Sequence, residues 1–319
     1  MSELVRPYRH SDATELAELY NAADASYGGE ARYTAARVRG FMDGLVRDHT
    51  TDTRMMFGLD GSLIANATVP TPPDGADRVR IFGAVRPDRQ GQSLGADLLA
   101  WQMDRLTAIH DRLDHGRPWQ AGVGCDTRDI RSVRLYERHG FVPVRYWSEM
   151  EMPTNAVRAE VQAGAQLAGG LRSVPYRPEI LATFYEAHAE AFADHWGFVR
   201  RDVASWAAMI VESPEFRADL SRVAYDGDEI AGYVLSAEAI DDGTVIIKNV
   251  GTRPRWRGRG IASALITEVL RAAAAAGRQT AELSVDTQNR TGAAGLYGRI
   301  GFVETASEIS FAKVVPALN

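Results

Sequence analysis

The sequence predicts an α/β fold made of two copies of one module, each a mixed sheet flanked by helices. Three observations carry this prediction. Four stretches recur in the same order at nearly constant separation, strand-like runs alternate with amphipathic helical runs, and 319 residues suffice for two ordinary domains.

The elements follow along the chain. VRPYRHSDATELAELYNAA, from Val5, has its counterpart in LRSVPYRPEILATFYEAHA, from Leu171, 166 residues later. Both read as a strand, a loop and an amphipathic helix. MMFGLDGSLIANATV (55–69) matches VAYDGDEIAGYVLSA (223–237). In each, an Asp-Gly pair (Asp60-Gly61, Asp226-Gly227) separates two apolar runs, a hairpin signal because glycine accepts the positive φ of a tight turn. VRPDRQGQSLGADLLAWQM (85–103) matches TRPRWRGRGIASALITEVL (252–270), a glycine-rich loop that runs into a helix. Last, VRLYERHGFVPV (133–144) matches AGLYGRIGFVET (294–305). Residues 154–169 are rich in Ala, Gln and Gly and lack a strong hydrophobic period, so they read as a partly helical linker between domains at 1–153 and 170–319.

Composition bounds the function. The apolar share is 45%, ordinary for a globular protein, and no run approaches membrane-spanning length. The start MSELVRPYRH lacks an apolar signal segment, which predicts a cytoplasmic protein. A single cysteine, Cys125, excludes an intramolecular disulfide and fits a reducing compartment. The net charge of −6, without blocks of like charge, argues against a nucleic-acid partner. The seven histidines show no paired metal-ligand spacing, so no metal is expected; His188 and His195 read as polar residues on a surface helix.

The stretch RWRGRGIASALITEVLRAAAAAG (255–277) carries the chemistry. The β-branched run TVIIKNVGT (244–252) is a strand that Pro254 ends, and the helix begins near Gly260 with Ile261, Leu265, Val269 and Leu270 on one face. A helix start presents unbonded N–H groups and partial positive charge, and glycines let a ligand approach that backbone. Arg255, Arg257 and Arg259 add full charge, so the loop suits a pyrophosphate. A P-loop would need Gly-Lys-Ser/Thr, and a dinucleotide fold a third glycine; neither pattern is present.

Arg257-x-x-Gly260-x-Ala262 resembles the Q/R-x-x-G-x-G/A signature of the GNAT superfamily of acyl-CoA-dependent N-acetyltransferases. SVDTQNRTGAAGLYGRIGF (284–302), with Asn289, Ala293, Leu296-Tyr297 and Gly301-Phe302, is similar to that superfamily's second block. The resemblance covers the second copy almost fully and the first substantially, as in tandem GNAT proteins. It implies, in each domain, a mostly antiparallel mixed sheet with a splayed parallel pair at the CoA site. It implies acetyl-CoA as co-substrate, its pyrophosphate on the amides of Gly258, Arg259, Gly260, Ile261 and Ala262 beside Arg257, and its pantetheine arm along Val250, Gly251 and Thr252. Direct attack by the acceptor amine then requires no enzyme nucleophile. Tyr297 is the candidate acid for the departing thiolate, although a phenol near 10 facing a thiol near 8.5 makes full proton transfer cost about 2 kcal/mol. Base candidates are Asp286, Glu190, His195 or a water relay; Asn289 either bonds the pantetheine or caps the following helix. Glu190, His195 and Trp196 fall in a region that commonly lines the acceptor site in this superfamily.

The first copy departs from the pattern. In Gln90-x-x-Ser93-x-Gly95 a serine replaces the central glycine, Asp88 reverses a charge, and Arg128 stands for Asn289, while Tyr136 keeps the Tyr297 position. The expectation is a scaffold or weak CoA site in the first domain and catalysis in the second. The acceptor is expected to be a small-molecule amine and the protein a monomer or homodimer, with an acyl-CoA-binding module or a peptide-amine acetyltransferase as alternatives.

Overall fold

The computed structural model describes residues 4–29, 33–72, 76–113, 116–157, 167, 169–239, 243–289 and 292–317. Two compact units emerge: residues 1–145 with 309–319, and residues 146–308.

The first unit runs β1 (Leu4–Arg6), α1 (Ala13–Ala25), α2 (Ala35–Leu45), α3 (His49–Asp52), β2 (Thr53–Phe57), β3 (Leu63–Thr68), β4 (Arg78–Arg80), β5 (Phe82–Val85), α4 (Leu94–Leu113), β6 (Trp119–Asp126) and α5 (Ile130–Arg138). β1, β2, β3 and β5 form an antiparallel sheet, while β4 pairs parallel with β6. One face of α1 and α2 (Leu16, Leu19, Val38, Met42) packs with Met55 and Leu63 of the hairpin. α4 buries Leu99, Leu106 and Ile109 with Trp119 and Val123 of β6.

The strand β7 (Val142–Pro153) enters the second unit at Tyr146; then come β8 (Arg172–Pro175), α6 (Leu181–Phe192), α7 (Val203–Ile210), β9 (Arg222–Asp226), β10 (Glu229–Glu238), β11 (Thr244–Thr252), α8 (Ile261–Ala275), β12 (Thr280–Asp286), α9 (Ala293–Ile300) and β13 (Val303–Val315). The strand order is β7-β12-β11-β10-β9-β8, antiparallel throughout except for the parallel pair β11–β12. The apolar stripe foreseen for the second glycine-loop helix is buried: Ile261, Leu265, Val269 and Leu270 of α8 are each at most 1% exposed. They pack with Val234, Val245, Leu283 and Val285 of the sheet. The opposite face is covered by α6 and α7, where Phe184, Tyr185 and Trp206 meet Val223, Tyr233 and Leu235.

The compact units differ from the linear halves 1–153 and 170–319. Residues from Tyr146 in β7 belong to the second unit and residues from Ile309 in β13 to the first. The cause is strand pairing: β7 runs antiparallel to β12 in unbroken register from Thr280↔Pro153 to Asp286↔Trp147. Hydrophobic alternation reveals that a strand exists and which side chains share a face, but not which sheet takes it. Most of the expected linker, including its partial helix, lies outside the described residues. Its start is fastened to the second unit by Thr154, whose N–H donates to the Gln279 carbonyl at 2.9 Å and whose hydroxyl donates to that of Arg278 at 2.6 Å.

Candidate active site

In the second unit β11 and β12 pair only over Thr244↔Thr280, Val245↔Ala281 and Ile246↔Glu282. β11 then continues to Thr252, still paired with β10, while its other edge has no strand partner among the described residues. A register shift opposite Leu235/Ser236, which leaves Lys248 out of the ladder, coincides with the parting of the strands. Bulges add local twist and bend, which carries β11 away from its neighbour. The edge thus opened, Ile247 to Thr252, includes Val250, Gly251 and Thr252 and leaves backbone groups without a strand partner, of which the Thr252 carbonyl accepts from Arg257.

Gly251 occupies its place for lack of space. A Cβ there would lie 2.4 Å from Cε1 and Cζ of Tyr233 and 2.6 Å from its hydroxyl. Tyr233 faces Gly251 across the β10–β11 ladder and is 1% exposed. Its hydroxyl shares a 2.6 Å hydrogen bond with His188 Nδ1, and Phe184 packs on its ring at 4.6 Å between centroids. His188 is therefore no surface residue. It is 4% exposed on the sheet-facing side of α6, and burial pushes its pKa down to about 4, so the imidazole is neutral. Burial likewise raises the Tyr233 phenol well above its ordinary value. This buried pair was invisible in the sequence because its members are 45 residues apart.

After β11 the chain makes a short turn over Pro254–Trp256. Trp256 is buried, donates from Nε1 to Asp226 at 2.9 Å, and carries the Arg253 and Arg255 guanidiniums over its ring at 4.8 and 3.7 Å. Gly258 and Gly260 follow with φ of +77° and +75°, and a Cβ on either would meet nothing within 4 Å. These two glycines serve backbone conformation in an open loop. Gly260 is the N-cap of α8 and no side chain caps that helix, so its first-turn amides, including Ile261 and Ala262, remain available to an anion.

The arginines divide in a way that composition did not show. Arg255 is paired with Glu229. Arg257 forks onto Asp194 at 2.8 and 3.1 Å and donates to the carbonyls of Ala191 (3.0 Å) and Thr252 (3.2 Å). That ion pair raises the Arg257 pKa and lowers that of Asp194. Arg257 thus ties the end of α6 to the glycine loop. Arg259 is exposed and makes no hydrogen bond or ion pair among the described residues, which leaves it as the free cation of the loop.

Of the base candidates, Glu190 is engaged by Arg253 at 2.6 Å. Asp286 is 5% exposed at the end of β12 and accepts the Gln288 N–H at 2.9 Å, the geometry of a turn residue. His195 Nδ1 lies 2.9 Å from the Trp196 carbonyl. A carbonyl only accepts, so Nδ1 donates in that bond, and in the neutral ring the lone pair is then on Nε2. The ring of Trp147 stands 6.3 Å from those of both His195 and Trp196, and Trp147 is cross-strand partner to Asp286. The loop after β11, the loop after α6, the middle of β7 and the end of β12 therefore converge on one place. In the sequence Trp147 falls within the first copy, and nothing local joins it to the second.

Tyr297, on α9, is 7% exposed, and burial pushes its phenol up to about 12. Its hydroxyl has no hydrogen-bond partner among the described residues; its ring meets Phe302 edge-on at 6.0 Å. Asn289 closes the turn after β12, with its N–H on the Asp286 carbonyl at 3.1 Å and its own carbonyl accepting from Gly292 at 3.2 Å.

In the first unit the corresponding loop keeps the backbone shape with less charge to offer. Gly91 has φ +80°, and Ser93, at +64°, is the one non-glycine residue with positive φ among the described residues. Arg86 pairs with Asp88 at 3.2 Å, Gln90 is bonded by Arg131 at 2.6 Å, and Arg128 forks onto Asp126 at 2.9 and 2.7 Å.

Comparison with known proteins agrees with this geometry. Residues 219–304, all within the second unit, match the family model described as acetyltransferase (GNAT) domain. A mycothiol acetyltransferase of Streptomyces scabiei (strain 87.22) is 32% identical over 225 residues, covering 69% of this chain and 66% of the relative, so the match spans just under two thirds of that protein. The crystal structure of a GCN5-related N-acetyltransferase from Sphaerobacter thermophilus superposes with TM-score 0.82 at 26% identity, over 99% of this chain and 97% of that one. A tandem GNAT protein from the clavulanic acid biosynthesis pathway superposes with TM-score 0.69 at 15% identity over the whole of both chains, a likeness of fold. Among the described residues no helix is long and apolar enough to cross a membrane.

Proposed function

We propose that this chain, which carries a GNAT acetyltransferase domain in a tandem GNAT fold, transfers an acetyl group from acetyl-CoA to the primary amine of a small molecule, with the chemistry in the second unit. The observation that carries the reading is the parting of β11 from β12 after Ile246↔Glu282, directly before a glycine loop with uncapped helix amides. The family match within the second unit supports the assignment to that unit, and the relative named mycothiol acetyltransferase supports a small acceptor.

The residues fit the co-substrate. Open space around Gly258 and Gly260, the first amides of α8 and the free Arg259 suit a pyrophosphate, and the edge of Val250–Thr252 suits an amide-bearing arm. Bound there, the thioester supplies an activated acetyl group. A backbone N–H on that edge stabilises the negative charge that develops on the carbonyl oxygen as the amine adds. His195 Nε2, holding a lone pair, takes the amine proton directly or through a water. Trp147 and Trp196 give the acceptor an aromatic wall.

Tyr297 donates a hydrogen bond to the departing sulfur and keeps its proton. With the phenol near 12 and a thiol near 8.5, complete transfer costs about 5 kcal/mol, whereas a hydrogen bond to a charged sulfur gains about 1.5–3 kcal/mol. The first unit serves as scaffold, since its loop cations are already paired.

The test is thiol release from acetyl-CoA against a panel of small amines, with product masses determined. Acceptor-dependent turnover is expected, and Tyr297→Phe lowers kcat roughly 100-fold with CoA affinity retained. CoA binding without turnover for any amine would replace this reading with a binding function.

A further inference from the structure

None of the seven histidines stands at the spacing of a metal-binding helix or finger, and the sequence reading accordingly expected no metal. Folding brings three dispersed residues of the first unit together. His10 opens the turn before α1, Asp43 lies in the last turn of α2, and His49 opens α3. Their ligand atoms all lie within 4.8 Å of one another.

We propose that His10, Asp43 and His49 form a site for a divalent cation of the zinc class. His10 Nε2 is 2.8 Å from Asp43 Oδ1, and His49 Nε2 is 4.0 Å from the same oxygen. Tetrahedral coordination with bonds near 2.0–2.1 Å puts ligand atoms about 3.3 Å apart. The two separations to that oxygen bracket the value and the third, between the histidines, is within 4.8 Å, so shifts of up to about 1.5 Å complete the set. The groups that must move are free to do so: the His10 and Asp43 side chains are 63% and 53% exposed. The less mobile member is His49, 19% exposed against the edge of Tyr8 at 5.3 Å; its Nε2 donates to the Met42 carbonyl at 3.2 Å and exchanges that bond and its hydrogen for the cation.

A second feature sits beside the cluster. Tyr8 is 3% exposed, yet its hydroxyl has no hydrogen-bond partner among the described residues. The same ring stands edge-on to both imidazoles, which are 5.7 Å apart. Two neutral imidazoles and one carboxylate are borderline donors that select zinc, nickel or copper over magnesium or calcium and leave a fourth position for water. The bound ion joins three elements of one unit and stabilises it by mass action.

The experiment uses the full chain without an affinity tag, stripped with a chelator. Zinc chloride is titrated by calorimetry, and cobalt(II) chloride by visible absorption. One equivalent is expected to bind, with the d–d band of a tetrahedral cobalt site. His10→Ala and Asp43→Asn, exposed positions whose circular dichroism should match wild type, each weaken binding by at least about tenfold. Absence of saturable binding, or equal binding in wild type and both variants, overturns the assignment.

Discussion

Replacing Gly251 by alanine tests the packing beneath the open strand edge. The added Cβ would stand 2.4 Å from Cε1 and Cζ of Tyr233, where carbon atoms prefer about 3.5–4.0 Å, so the ring must retreat by about 1 Å. It has little room: Tyr233 is 1% exposed, Phe184 lies 4.6 Å away, and the hydroxyl is tied to His188 at 2.6 Å. Overpacking costs about 1–3 kcal/mol, and breaking a buried hydrogen bond about 1–3 more, which gives about 2–6 kcal/mol. The assay is urea unfolding followed by circular dichroism, fitted as two transitions because the chain has two units. Gly258→Ala is the control, since a Cβ there meets nothing and the cost is only the left-handed backbone, about 1–2 kcal/mol. Tyr233→Ala removes the obstacle, so the double variant Gly251→Ala/Tyr233→Ala should be less damaged than the sum of the singles by about 2 kcal/mol. A Gly251→Ala protein within about 0.5 kcal/mol of wild type, or an additive double variant, would refute the reasoning.

Two further outcomes follow from single positions. Ser93 holds φ +64°, where a side chain is strained, so Ser93→Gly should stabilise the first unit by roughly 0.5–1 kcal/mol, read as a shift in its unfolding midpoint. His188 has a folded pKa near 4 against 6.5, so the folded state favours the neutral ring; its contribution is full above pH 6.5 and is lost as pH falls towards 4, about 3 kcal/mol in total. Unfolding free energies from pH 7 to 4 should show that loss, and His188→Gln should flatten the profile.

The repeat, the strand–loop–helix order and the apolar stripe of α8 were legible in the residues, because side-chain periodicity and turn chemistry act over a few positions. The glycines of the loop were legible too: Gly258 and Gly260 satisfy a local backbone demand that Ser93 meets under strain. What the arginines do was not legible. Arg255 and Arg257 look alike in RWRGRG, yet their partners Glu229 and Asp194 arrive from other elements, while Arg259 has no partner among the described residues. Two of the base candidates, Glu190 and Asp286, have partners that the sequence does not reveal, Arg253 and the N–H of a turn.

Sequence alone thus determined the class of module, its duplication and the place of the phosphate-type loop, all properties of short-range pattern. Tertiary structure decided which charges remain unpaired, that Trp147 joins His195 and Trp196, that His188 is buried against Tyr233, and that three distant residues meet as a metal-type cluster. The physical reason is that charge pairing, burial and coordination depend on distances in space, and these are fixed only when strands such as β7 choose their partners.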